Sequence, residues 1–189
     1  VLVPRHFEKA DAVQAEIERA GFACVRKSKE MPRDPTGGDS PSMGIHQSLS
    51  ERDPSAPPVI LADTTGELMG FYGNAHIVFV GKSLCEHGAQ NMIEPCLCGA
   101  ATVVGPYTEN FRPVMSDLLS AEALVQVPDE EALAREIERL AGDVEARRAL
   151  GARGTEAVLR RKGVVERSAE ALLGAIQRIE SHPEGGVRS

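Results

Sequence analysis

Two short polar strings carry residue types that could do chemistry. The first is Asp63-Thr64-Thr65-Gly66-Glu67. Thr64-x-x-Glu67 has the spacing of a capping box, in which hydroxyl and carboxylate satisfy the orphan amides of a helix start. Gly66 within it would let a ligand approach the backbone closely, and the two roles are compatible. The second is Asn91-Met92-Ile93-Glu94-Pro95. Pro95 suits a first helical position, which would make Glu94 the cap. The same carboxylate could instead accept hydrogen bonds from two ribose hydroxyls, while amides at the helix start favour a phosphate. Arg5 is either a bidentate partner for phosphate or carboxylate or an exposed structural residue. Gly81-Lys82-Ser83 is not a P-loop, because the spaced upstream glycine is missing. Cys85, His87, Cys96 and Cys98 match no common closed zinc site, and the Cys96/Cys98 pair falls in an apolar helical stretch. They read as ordinary thiols, and no metal is expected.

Positioning these residues requires a sheet. Strand-length apolar runs occur at Val1–Val3, Val59–Ala62, Ile77–Val80, Ala101–Val104 and Leu124–Val127, with another at Phe22–Val25. Helical patterns lie between and after them: Glu8–Ala20, with apolar Ala12, Ala15 and Ile17, then Gly66–Gly73, Ile93–Cys98 and Phe111–Ser120. A charged tail covers Glu130–Ala141, Val144–Ala149 and Thr155–Ile179. Near-continuous apolar strands alternating with helices predict an α/β fold with a parallel sheet covered on both faces. One domain is expected over 1–181. It carries a Pro/Ser/Gly-rich insertion or loop over Lys27–Pro58, and 182–189 read as a flexible tail. Ligands of such sheets bind at the carboxyl ends of the strands. The residues after each run gather there: Pro4-Arg5-His6, Asp63–Glu67, Gly81–Ser83 with the loop to Glu94, and Gly105–Asn110.

Composition narrows the function. The chain has 189 residues, 42% hydrophobic but only 4% aromatic with no Trp, so the core must be aliphatic. A net charge of -7 without a basic face argues against nucleic-acid binding. No stretch approaches the ~20 apolar residues of a membrane span. The chain opens without Met on a strand already under way, which is expected of a segment cut from a longer protein.

In order, Pro4-Arg5-His6, Asp63–Met69, Tyr72-Gly73, Phe79–Leu84, Gln90–Pro95 and Gly105–Phe111 resemble the C-terminal half of 3-deoxy-D-manno-octulosonic acid (Kdo) transferases of lipopolysaccharide synthesis. The resemblance runs from Val1 to about Phe111; Asp63–Met69 combined with Asn91–Pro95 is its specific part. Two departures stand out. The family usually has two glycines before the serine, where this chain has Gly81-Lys82, and a glycine pair where it has Gly88-Ala89. Lys82 adds a cation near a phosphate or points to solvent, and solvent is the expectation.

The resemblance implies a GT-B glycosyltransferase with two Rossmann-like domains. The C-terminal one, matched here, holds the donor CMP-Kdo. Pro4 and Arg5 would contact the donor, Thr65, Gly66 and Glu67 would line the nucleotide pocket, and Asn91, Met92, Ile93 and Glu94 would hold the ribose and phosphate. No metal or cofactor is implied. The acceptor, a lipid A precursor, and the acidic general base belong to the N-terminal domain, so this span would be soluble and inactive alone. Membrane contact, at the cytoplasmic face of the inner membrane, would come only through the parent protein. Two other readings stay open: another GT-B enzyme, such as a UDP-sugar transferase or an epimerase, and a non-catalytic nucleotide-binding module.

Overall fold

The computed structural model describes residues 1–30, 57–85 and 87–161. The 182–189 tail and most of the Lys27–Pro58 segment lie outside the described residues. The chain divides into two compact units, Val1–Leu68 and Met69–Ser189.

The first unit is a small parallel arrangement. A 3-10 turn over Phe7–Lys9 leads into helix α1 (Ala10–Arg19), and Gly21, at φ 86°, takes the left-handed conformation just past its end. Of the apolar positions expected on the inward stripe, Ile17 is there and Ala12 and Ala15 are not. Ala10 and Ile17 are buried and Val13 is half-buried, whereas Ala12 and Ala15 are exposed. The buried positions have the i, i+3, i+7 spacing of a helix face. Strand β1 (Cys24–Arg26) pairs in parallel with β2 (Val59–Leu61), with Arg26 opposite Leu61. The expected first strand is reduced to a single parallel bridge, Leu2 to Leu61, closed by Leu2 N–H to Ile60 O at 2.8 Å and Ala62 N–H to Leu2 O at 2.9 Å. The short helix α2 (Lys27–Glu30) comes directly after β1.

The second unit begins within helix α3 (Leu68–Asn74) and holds three parallel strands in the order β3 (Ile77–Val80), β4 (Ala101–Val104), β5 (Val125–Gln126). The middle strand, β4, is buried at every position, as a strand covered on both faces must be. Its alternating side chains enter two cores. Val104 packs with Val80, Met92, Cys96, Met115 and Leu118, which come partly from helices α4 (Ile93–Leu97) and α5 (Arg112–Ser120). Ala101 and Val103 pack with Leu140 of helix α6 (Glu130–Gly142) and with Leu150. The two helices expected at the end are one described helix, α7, running from 144 to 161 through Gly151 and Gly154. Both glycines are close-approach positions. A Cβ on Gly151 would lie 2.0 Å from the Gly99 carbonyl oxygen, and one on Gly154 would lie 3.2 Å from that of Ala123. Close packing of α7 against the α4–β4 connection offsets the usual helical cost of glycine.

Candidate functional site

Each unit presents polar residues at the carboxyl ends of its parallel strands. In the first unit the register sets the edge. With Leu2 and Arg26 both opposite Leu61, the residues just beyond, Pro4-Arg5, Lys27-Ser28 and Asp63-Thr64, come off the strands together. Arg5 is exposed and Pro4 half-buried. Asp63 is the centre of the network there. Its carboxylate accepts from Arg26 Nε (2.5 Å), the Ser28 backbone N–H (2.9 Å) and the Ser28 hydroxyl (2.5 Å). Burial pushes this carboxyl up, but the hydrogen bonds from Ser28 and Arg26 outweigh it and hold it at about 2. The Arg26 guanidinium is raised in turn, chiefly by its bond to Asp63 and then by one to Asp11.

Glu67 is engaged at both oxygens, accepting from the buried Lys27 ammonium at one and from the Thr64 hydroxyl at the other. The helix starts only at Leu68, and the Thr64 hydroxyl donates to the Glu67 carboxylate. Thr64 and Glu67 thus form a side-chain bridge. Thr65 and Gly66 are left exposed at the tip of the turn, where Gly66 has φ 86° and open space around it. Arg26, Lys27 and Ser28 were not anticipated from sequence. Their one signal is position, immediately after an apolar run, and the Pro/Ser-rich stretch beginning at Lys27 obscures it.

In the second unit the same edge is built from the β3 and β4 loops. Ser83, fully buried, ties them together: its hydroxyl donates to Val80 O (2.6 Å) and accepts from Gly105 N–H (2.8 Å), and its carbonyl accepts from Tyr107 N–H (3.0 Å). The loop leading to Asn91 is held by the segment after β4. Asn110 grips the Ala89 backbone twice, accepting from its N–H at 2.9 Å and donating to its carbonyl at 3.0 Å. Glu109 accepts from Gly88 N–H at 3.1 Å and meets His87 Nδ1 at 2.9 Å. The His87 contact is the main cause that brings the Glu109 carboxyl down to about 2. Gly88, at φ 81°, supplies the left-handed turn; Ala89 needs no such backbone and buries its methyl in the core.

Asn91 organises the start of α4. Its Oδ1 accepts from Ile93 N–H and its Nδ2 donates to Glu94 Oε1, both at 3.0 Å. The N-cap position is Met92, which makes no side-chain cap bond, and the Asn91 side chain just before it takes the first helical amide instead. Glu94 is inside the helix, and Pro95 is its third residue, two positions later than a Glu94 cap would place it. Met92 is wholly buried among core residues, which confines its part in any site to its backbone, while Ile93 and Glu94 are half-buried. Tyr72 of α3 has its phenol pushed up by burial and then by the charge of Glu94. Four described carboxylates follow β2, β3 and β4 at these edges, while Asp129, Glu130 and Glu131 follow β5. Asp63, Glu67 and Glu109 spend both oxygens on their own unit, whereas Glu94 Oε2 keeps no hydrogen-bond partner among the described residues. No group of three or more His, Cys, Asp or Glu side chains among the described residues is arranged to hold a metal ion. No helix among them is long and apolar enough to cross a membrane.

Comparison with known proteins matches this architecture. The chain is 31% identical over 180 residues to a 3-deoxy-D-manno-octulosonic acid transferase of Haemophilus influenzae, covering 94% of this chain and 37% of the relative. It is 33% identical over 129 residues to the Bordetella pertussis enzyme of the same name, covering 68% of this chain and 26% of that protein. A solved structure, the C-terminal CMP-Kdo binding domain of WaaA from Acinetobacter baumannii, superposes with a TM-score of 0.65 at 25% identity, over 84% of this chain and 73% of that one. The chain is a homologue of the C-terminal domain of Kdo transferases. No family model matches it. The chain spans little more than a third of the Haemophilus relative and about a quarter of the Bordetella one. The mixed α/β fold with parallel strands, expected from the apolar runs, is that of the Kdo transferase C-terminal domain.

Proposed function

We propose that this Kdo transferase homologue binds the donor CMP-Kdo and that its parent protein transfers Kdo to a lipid A precursor in lipopolysaccharide synthesis. The observation that carries the reading is Glu94. It is a half-buried carboxylate at the carboxyl edge of a parallel sheet, oriented by Asn91 through one oxygen and left with the other for a ligand. A carboxylate held this way suits the paired hydroxyls of a ribose, since Oε2 can accept from one and the remaining lone pair of Oε1 from the other without moving the side chain. The Acinetobacter domain, named for CMP-Kdo binding, supports the choice of nucleotide. By the same resemblance, Asn91 to Glu94 take the ribose and phosphate, Thr65, Gly66 and Glu67 the nucleotide, and Pro4 and Arg5 the donor. The transfer itself is assigned to the whole protein, with the acceptor and the acidic general base outside this span.

Calorimetric titration of the chain with CMP and with UMP tests the reading. CMP is expected to bind in preference to UMP, and Glu94→Ala to remove most of the CMP heat while circular dichroism stays unchanged. A folded chain giving no heat at millimolar CMP, or one preferring UMP, would sink it.

A further inference from the structure

One cation at the second unit's edge has no part in the network described above. Lys82 sits at φ 71°, in the left-handed region that lysine seldom adopts. Its turn cannot relax. The carbonyl of Gly81 before it accepts from Gln90 N–H at 3.3 Å, and Ser83 after it is fixed by its bonds to Val80, Gly105 and Tyr107. The Gln90 bond also ties this turn to the residue next to Asn91. Lys82 is exposed, and among the described residues it forms no ion pair.

The charges around it decide what it can be for. The segments after β3, β4 and β5 are 81–91, 105–110 and 127–131 in sequence, and Lys82 is the single Lys or Arg in them, against Glu86, Glu109, Asp129, Glu130 and Glu131. Among the side chains of these segments, Lys82 is the one that carries a fixed positive charge toward an anionic ligand's phosphate. Solvation alone would be served equally by any polar residue, and a glycine would remove the backbone strain.

We propose that Lys82 is a specificity-determining residue that binds the phosphate of the nucleotide ligand. This rests on the nucleotide-binding reading above and deepens it. The turn fixes the start of the side chain at the strand end, so contact with the ligand has to order the lysine rotamers but not the backbone. A lysine acts there as a point charge, and a charge-assisted contact with phosphate is worth about a tenfold change in affinity.

The test is calorimetry on the 189-residue chain with CMP and with cytidine, which lacks the phosphate, at low and high salt. Lys82→Met keeps the unbranched stem and removes the ammonium; Lys82→Gly also removes the strain; Lys82→Arg keeps the charge. Met and Gly are expected to weaken CMP about tenfold, to leave cytidine unaffected and to flatten the salt dependence of CMP binding, while Arg retains most of the affinity. If Lys82→Met binds CMP as tightly as the parent chain and with the same salt dependence, the proposal fails and the nucleotide reading survives. Equal weakening of cytidine would place the effect in the turn and also overturn it. If the unsubstituted chain binds no CMP, both fall together.

Discussion

Asp63 offers the sharpest test of how the first unit holds its edge. Its carboxyl lies at about 2 in the fold against an ordinary 3.8. At ~1.4 kcal/mol per pKa unit, that depression corresponds to about 2 kcal/mol of folded-state stability. The side chain is 3% exposed, so solvent screening takes little of it away. The sign comes from the direction. The folded state prefers the ionised carboxylate, so the stabilisation is complete above pH ~4, about half remains near pH 3, and it is lost as pH falls through ~2. Asp63→Asn removes the charge that Arg26 and Ser28 grip. Urea denaturation should show the variant about 2 kcal/mol less stable at pH 7, with the gap shrinking to about 1 kcal/mol at pH 3. The Ser28 amide, which donates to Asp63, should exchange faster with solvent in the variant at neutral pH. A loss of the same size at both pH values would refute the electrostatic account and leave only lost packing.

Two glycines in the second unit make separate predictions. A methyl on Gly105 would sit 2.2 Å from the Ser83 carbonyl oxygen, so Gly105→Ala must push apart the joined β3 and β4 loops and strain the bonds Ser83 makes to Gly105 and Tyr107. A loss of about 3 kcal/mol in urea denaturation is expected, and one below ~1 kcal/mol would mean the loops separate freely. Gly151→Ala meets the Gly99 carbonyl at 2.0 Å and should cost about 2 kcal/mol, even though alanine is the better helix former; Gly70→Ala in α3, with open space around it, is the control and should cost nothing or stabilise slightly.

Legibility in the sequence divides physically between local and distant partners. Ile77–Val80 and Ala101–Val104 are strands with the expected bounds, because a buried parallel strand writes itself as an unbroken apolar run. The strand read at Phe22–Val25 begins two residues later and ends on Arg26, whose charge is neutralised by Asp63, 37 positions away. Periodicity cannot see that partner. Continuity of α7 through Gly151 and Gly154 is hidden for the same reason, since the glycines are explained only by the Gly99 and Ala123 carbonyls they pack against. The Asn91-x-x-Glu94 string has the opposite character. Its residues are close in sequence, so a cap was foreseeable; only the choice between Asn91 and Glu94 as the capping side chain required coordinates.

That choice matters for function. Had Glu94 been the cap, its carboxylate would have been spent on backbone amides, as Asp129 spends an oxygen on the Ala132 amide. Because Asn91 takes the Ile93 amide and also holds Glu94 Oε1, the second oxygen of Glu94 is oriented and has no hydrogen-bond partner among the described residues. Asn91 therefore fixes the orientation of the Glu94 carboxylate. Asn91→Asp keeps the cap, since an aspartate oxygen still accepts from Ile93 N–H, but sets a like charge against Glu94. The cap and the ligand role can thus be separated in one side chain. If Asn91→Asp keeps the fold yet loses cytidine, which has no phosphate to repel, as well as CMP, Glu94 acts as a ligand carboxylate whose orientation Asn91 controls. If CMP binding survives unchanged, the order Asn91 imposes on Glu94 serves the helix alone.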